Sequence, residues 1–267
     1  AVPYQSELHV LAMDPSTSGS FILAYDDPNT GKGTVLSGIV AGTSITFGTP
    51  VVFNTGSANN SIDVEFDPST AGSFVIVYND RSTERPCVMG GSLSNNIITL
   101  GSENELLTAG YPSCRLGVSF EPSTAGKFIV AYATLSLGYG AAIVSGTTLT
   151  FGTPSNFSAV NCDQLFIAYD KVTSGKFMVS YRDRVTQYGM VCAGSVTGTT
   201  VSFGTPVVFM SASNTNNHAI DSDPYNSGKY AVTFRNADAG NLKIITVTGT
   251  TPAVGAIQRF NQYNTSY

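Results

Sequence analysis

One phrase, written along the chain again and again, constrains this protein more than any other feature. Its clearest form is Phe66-Asp67-Pro68-Ser69-Thr70-Ala71-Gly72-Ser73-Phe74-Val75-Ile76-Val77-Tyr78, and it returns at Met13 to Tyr25, Phe120 to Tyr132, Tyr169 to Tyr181 and Ser222 to Phe234. A second phrase, Phe47-Gly48-Thr49-Pro50, returns as Leu100-Gly101, Phe151-Gly152-Thr153-Pro154, Phe203-Gly204-Thr205-Pro206 and Val254-Gly255. Its glycines, at 48, 101, 152, 204 and 255, stand 53, 51, 52 and 51 residues apart. So even a period marks a repeat architecture, in which each copy of one small unit buries its apolar face on the next.

Within one period the apolar residues alternate, and turn residues recur every 8 to 12 positions, as short antiparallel strands require. In the second copy the pattern predicts four strands: 61–66, 73–78, 87–93 and 97–107, the last with a break at Gly101. The link Asp67-Pro68-Ser69-Thr70-Ala71-Gly72 is turn chemistry: Asp accepts from the backbone ahead, Pro presets its φ, and Gly tolerates a positive φ. Four strands in about 50 residues, repeated radially, make a β-propeller blade. The reading is therefore an all-β, single-domain propeller of five four-stranded blades, at about 5–57, 58–110, 111–160, 161–213 and 214–262. A segment of a larger propeller is the alternative. Aligning the first strands on Asp14, Asp67, Glu121, Asp170 and Asp223 supports it, because the position three before the acid is always aliphatic: Leu11, Val64, Val118, Ile167, Ile220. Each blade runs whole in chain order, so the seam of a ring has no permuted strand, although residues 1–4 or 263–267 could latch it. The start at Ala1 rather than Met points to a processed form or an excerpt.

Composition narrows the function classes. Only 12% of the 267 residues are charged, about half the usual share, with 13 basic against 18 acidic residues and a net charge of −5. That balance argues against nucleic acid and anionic membranes as partners. No apolar run approaches the roughly 20 residues that span a bilayer as a helix.

The stretch Val196 to Phe209, with Tyr181-Arg182-Asp183 and Tyr188-Gly189, resembles the degenerate repeats of large surface and tail-fibre-like proteins of marine bacteriophages and some marine bacteria. The resemblance covers essentially the whole chain and rests on letters that any tight β-turn repeat favours. It implies a virion or extracellular surface location, a role in attachment or structure, and other subunits of that assembly as partners. The five-fold count is also similar to tachylectin-type lectins and arabinanase-type glycosidases.

Propeller ligands usually sit on the face where loops emerge from a rigid scaffold. Two columns open there: Glu7, Asn60, Cys114, Asp163 and Asn216 at the start of each first strand, and Asp27, Asp80, Thr134, Asp183 and Asn236 after each second strand. Arg81, Arg182, Arg184 and Arg235 join them. Short polar groups beside arginines suit sugar hydroxyls, a carboxylated glycan or a protein receptor; turn preference alone also places Asp and Asn there. The expected ligand-binding set is therefore Asp27, Asp80, Asp183, Asn236, Arg81, Arg182, Arg184, Arg235 and Asp163, in a binding module that is not an enzyme. A glycosidase would need two carboxyl groups facing each other about 5 to 9.5 Å apart; its candidates are Asp63, Glu65 and Asp221. The repeated turn is similar to the sialidase Asp-box, but that box ends in Trp and this chain has none.

Thirteen tyrosines, among them Tyr111, Tyr139 and Tyr188, could stack sugars instead, though aromatics more often pack blades together. His9 and His218 share a column that is otherwise apolar. No third ligand supports a metal, and no cofactor is expected; calcium at the Asp-rich loops stays open. Cys87, Cys114, Cys162 and Cys192 allow three pairings. Cys114 with Cys162 is the geometrically plausible one, and buried thiols are the plainer reading.

Overall fold

The computed structural model describes residues 9–56, 61–107, 115–133, 137–145, 147–211, 215–236 and 239–260. Among them every regular element is a β-strand. The first sheet holds β1 (His9–Met13), β2 (Ser20–Asp26), β3 (Gly33–Ala41), β4 (Ser44–Phe47) and β5 (Val51–Asn54). The second holds β6 (Ile62–Phe66), β7 (Ser73–Asp80), β8 (Arg85–Ser94), β9 (Ile97–Leu100) and β10 (Asn104–Glu105). The third holds β11 (Leu116–Phe120), β12 (Lys127–Tyr132), β13 (Leu137–Ser145), β14 (Thr148–Phe151) and β15 (Ser155–Asn156). The fourth holds β16 (Cys162–Tyr169), β17 (Lys176–Asp183), β18 (Gly189–Thr197), β19 (Thr200–Phe203) and β20 (Val207–Met210). The fifth holds β21 (Asn216–Ser222), β22 (Lys229–Asn236), β23 (Ala239–Thr248), β24 (Thr251–Val254) and β25 (Gln258–Arg259). The chain divides into two compact units, Ala1–Val130 with Ala141–Phe151, and Ala131–Gly140 with Gly152–Tyr267; the division runs through the third sheet.

Each sheet is an antiparallel meander in which the third strand carries both the fourth and the fifth. The expected outer strand is thus two strands, and a sheet has five members, not four. The Gly-Thr-Pro phrase is the cause. In the first sheet β4 and β5 both pair with β3. Between them the Gly48 N–H bonds back to the Ser37 carbonyl at 2.9 Å, and Pro50 has no N–H to give to a ladder.

The recurrent turn explains itself atom by atom. The acid's N–H donates to the carbonyl of the residue that opens the next strand: Asp14 to Ser20 (2.9 Å), Asp67 to Ser73 (2.8 Å), Glu121 to Lys127, Asp170 to Lys176 and Asp223 to Lys229 (each 2.8 Å). The turn glycines Gly19, Gly72, Gly126, Gly175 and Gly228 all have φ between 67° and 74°, a region side-chain-bearing residues rarely enter. Four of them lie against the third strand, and a Cβ on Gly72 would stand 2.1 Å from the Leu93 carbonyl oxygen.

In the first unit, β1 lies against β6 and β6 against β11. One core joins Ile22, Ala24, Val35 and Phe53 of the first sheet to Val64, Phe66, Phe74, Ile76 and Tyr78 of the second. In the second unit, Met178, Val191, Ala193 and Phe209 pack on Tyr230, Val232, Phe234 and Ile245. Gly38, Gly91 and Gly194 each lie under the ring of the paired phenylalanine, Phe21, Phe74 or Phe177. A Cβ on Gly91 would fall 2.3 Å from the Phe74 ring, which is fully buried and cannot retreat. Gly91→Ala is expected to destabilise by about 1–3 kcal/mol through overpacking, read as a lower urea midpoint. An unchanged midpoint would refute this packing.

Candidate functional site

The hairpin tips that join second to third strands carry most of the expected binding residues, and each unit carries its own set. In the first unit, Asp27 caps the β2–β3 tip: its carboxylate accepts from the Asn29 N–H at 2.9 Å and the Thr30 hydroxyl at 3.0 Å. Those bonds hold it below the ordinary carboxylate range. Asp80 caps the β7–β8 tip, taking the Ser82 N–H and hydroxyl, both at 2.8 Å. In the second unit, Asp183 caps the β17–β18 tip through the N–H groups of Val185 (2.7 Å) and Thr186 (3.3 Å). The three aspartates therefore first shape their own turns. Beside them Arg81 and Arg184 are exposed, as is Arg235 at the end of β22, where Asn236 pairs with Ala239. Glu7, Asn60, Cys114, Thr134 and Tyr111 lie outside the described residues, as do 1–4 and 263–267.

Asp163 and Arg182 are brought together as a built contact. Arg182 Nε and Nη2 each donate at 2.7 Å to one oxygen of Asp163, the bidentate fork that makes such pairs strong. Its Nη1 donates to Asn216 Oδ1. Both partners are shielded, with 15% and 26% of their side chains exposed. Arg182 is thus committed to its neighbours rather than to solvent. Buried against this cluster is His218, whose Nε2 lies 3.2 Å from the Thr215 carbonyl and whose Nδ1 is unpaired. Its ring meets Phe209 edge to face at 5.3 Å. Burial pushes the imidazole down to about 4, with the nearby Arg182 charge acting in the same direction.

The strands on either side are irregular here. Pairing slips between Asp163 and Phe166 and again between Asn216 and Ala219, and Gln164 and Asn217 take positive φ of 52° and 51°. Such bulges re-aim side chains near functional sites. The alignment marks Asp163 and Asn216 as one column, but nothing in the letters announces a bulge at Gln164. His218 was placed in its column by the sequence, though not beside Arg182.

The three carboxylates considered for glycoside hydrolysis are otherwise occupied. Asp63 accepts from its own strand at Val64 N (2.9 Å) and from β11 at Val118 N (3.1 Å). Glu65 accepts from Phe120 N at 3.1 Å. With the Ser61 hydroxyl taking Leu116 N at 3.4 Å and Asp67 taking Gly126 N at 2.6 Å, the side chains at 61, 63 and 65 cap N–H groups of β11 and that at 67 caps an N–H of the following turn. Burial nonetheless pushes Asp63 up to about 6. Asp221 forms an ion pair with Lys171 at 2.6 Å.

Cys87 and Cys192 are buried thiols, raised by burial, and Cys162 Sγ donates to the Ala133 carbonyl at 2.9 Å. Among the described residues no group of three His, Cys, Asp or Glu side chains is placed to hold a metal ion, and no helix is long and apolar enough to cross a membrane.

No protein-family model and no curated protein sequence matches this chain. Solved structures do. A protein from Lactobacillus plantarum superposes with a TM-score of 0.63 at 12% identity over 93% of this chain and 69% of its own. The Dos1 propeller gives 0.57 at 13% over 95% and 62%. The periplasmic gluconolactonase PpgL of Pseudomonas aeruginosa gives 0.51 at 9% over 93% and 83%. At these identities the likeness concerns the fold alone, and with the repeated sheets it identifies an all-β propeller fold.

Proposed function

We propose that this chain is a non-enzymatic binding module of a virion fibre or another extracellular surface assembly, attaching to a glycan or surface receptor. Its five sheets are read as five blades, and the hairpin tips as the binding elements. One observation carries the reading: Asp80 and Asp183 pin their turns, so that the exposed Arg81 and Arg184 stand on fixed supports. Exposed guanidinium groups on pinned turns, flanked by hydroxyl and amide side chains, suit acidic or hydroxyl-rich glycans. The hydrolase alternative has less support, since Asp63 and Glu65 serve as acceptors for backbone N–H groups.

A glycan-array screen in calcium and in chelator tests the reading. Binding to a defined glycan, weakened at least tenfold by Arg81→Ser or Arg184→Ser in the tip concerned, is the expected result. A calcium requirement would assign the Asp-capped turns a cation. Silence on the array would overturn glycan attachment, and hydrolysis lost on Asp63→Asn would overturn the non-enzymatic role.

A further inference from the structure

The fourth and fifth sheets both lie in the second unit, and their joint is tied differently from the joint between the second and third. In the latter, Ser61, Asp63, Glu65 and Asp67 bond backbone N–H groups from β11 to the turn beyond it. In the former, Phe166 and Ala168 stand at the repeat positions of Asp63 and Glu65. The middle of this joint is therefore apolar, and Ala168 shares a core with Tyr230 and Ile220. Polar ties gather at its two ends. At one end Asp170 accepts from the Gly228 N–H at 2.7 Å, and the Lys171 N–H donates to the Ser222 hydroxyl at 3.2 Å. At the other, Arg182 donates to Asn216, and Gln164 Oε1 accepts from the Asn217 N–H at 3.3 Å.

This second end rests on a dry imidazole. His218 is 3% exposed. The Thr215 carbonyl, 3.2 Å from Nε2, can only accept, so Nε2 carries the ring's hydrogen; Nδ1 is bare and has no partner among the described residues. A proton added at Nδ1 would make a buried cation with nothing to donate to, a costly arrangement. The elements packed around the ring oppose that charge. They bring Arg182 on β17, Arg235 on β22 opposite Asn216, and Lys243 on β23, which donates to the Phe209 carbonyl at 2.6 Å. Of the carboxylates, Asp163 on β16 is engaged by Arg182 and Asp183 by its own turn; β20 offers the uncharged Phe209 ring. Asn217 and His218 also fall in the slip between β21 and β22, so the side-chain cluster holds this stretch in place of a regular ladder.

We infer that this end of the joint is an acid-released latch: protonation of His218 turns its ring out to water, frees residues 216–218 from Arg182 and Gln164, and leaves the Asp170 end closed. Burial of the neutral ring against Phe209 and Thr215 holds the latch shut, and water solvates the imidazolium once it is out. The released segment uncovers the Arg182–Asp163 pair. The device is local, because the apolar middle and the Asp170 end contain no group that senses the ring. It does not rest on glycan binding and survives an empty array.

Amide hydrogen exchange of the intact chain at pH 7 and pH 4, expressed as protection over the intrinsic rate at each pH, tests it. Residues 216–218 should lose protection by about a hundredfold at the lower pH, as follows for an imidazole held at about 4 when closed and near 6.5 when open. The β22–β23 ladder should keep its protection. His218→Leu, which places the residue of Leu116 and Leu165 in this column, should protect residues 216–218 equally at both pH values. Where that variant fails to fold, the two histidines of the wild type decide: nitrogen shifts of the His218 ring should show it gaining its proton over the pH range in which 216–218 lose protection. Unchanged protection at pH 4 overturns the inference. So does an equal loss in folded His218→Leu, a loss shared by the β22–β23 ladder, or a ring that titrates while the segment stays protected.

Discussion

Replacing Asp67 by alanine is expected to destabilise the protein by about 3–5 kcal/mol, and Asp170→Ala by a similar amount, whereas Asp223→Ala should cost only about 1 kcal/mol. All three occupy the same repeat position, so turn propensity predicts equal effects. The difference lies in their two oxygens. One oxygen caps the acid's own turn: Asp67 takes Ser69 N at 2.8 Å, Asp170 takes Val172 N and Thr173 N at 2.9 Å, and Asp223 takes Tyr225 N at 2.9 Å and Asn226 N at 3.2 Å. The second oxygen of Asp67 and Asp170 bonds the glycine N–H of the following sheet's turn, whereas that of Asp223 meets the Asn226 amide at 2.9 Å. Asp67 and Asp170 are buried, so truncating either leaves N–H donors without water, each costing about 1–3 kcal/mol. Urea unfolding of the three variants at one pH checks the ranking. Equal losses would mean that the bonds between sheets contribute nothing.

Asp63→Asn and His218→Leu should change the pH dependence of stability in opposite senses, each by up to about 3 kcal/mol, from roughly 1.4 kcal/mol per pKa unit. Asp63 is raised to about 6 by burial, against about 3.9 in an unfolded chain. The folded state therefore keeps the proton longer, and this group's contribution is full below about pH 4 and lost as pH rises through 6. His218 is lowered to about 4 by burial, against about 6.5 unfolded. Its contribution is full above about pH 6.5 and lost as pH falls through 4. In the wild type the two partly cancel. Asp63→Asn should therefore leave stability rising with pH across this window, the His218 contribution alone. His218→Leu, which supplies the residue found at Leu116 and Leu165 in the same column, should leave stability falling as pH rises across it, the Asp63 contribution alone. Profiles parallel to the wild type would show that neither group is desolvated in the native state.

Local structure was legible because it depends on local chemistry. The Asp-Pro-Ser-Thr-Ala-Gly turn, the break at Gly101 and the alternation of Phe74, Ile76 and Tyr78 can be read from letters, since turn dihedrals and a period of two need no distant partner. The use of the acids could not. Asp63, Glu65, Asp80 and Asp163 look alike as polar residues near loops, yet the first two cap edge N–H groups of a neighbouring sheet, the third caps its own turn, and the fourth grips Arg182. Which of these an aspartate does depends on a backbone donor 55 residues away or a guanidinium 19 residues away.

By itself the sequence determined that this is an all-β repeat protein and where its hairpins turn, because glycine, proline and alternating apolar residues act within a few bonds. Only the tertiary structure decided which carboxylates are consumed in joining sheets, and that Arg182 is tied to Asp163 beside a buried His218. Burial and hydrogen bonding across sheets depend on what stacks on each face, and identical letters meet different neighbours.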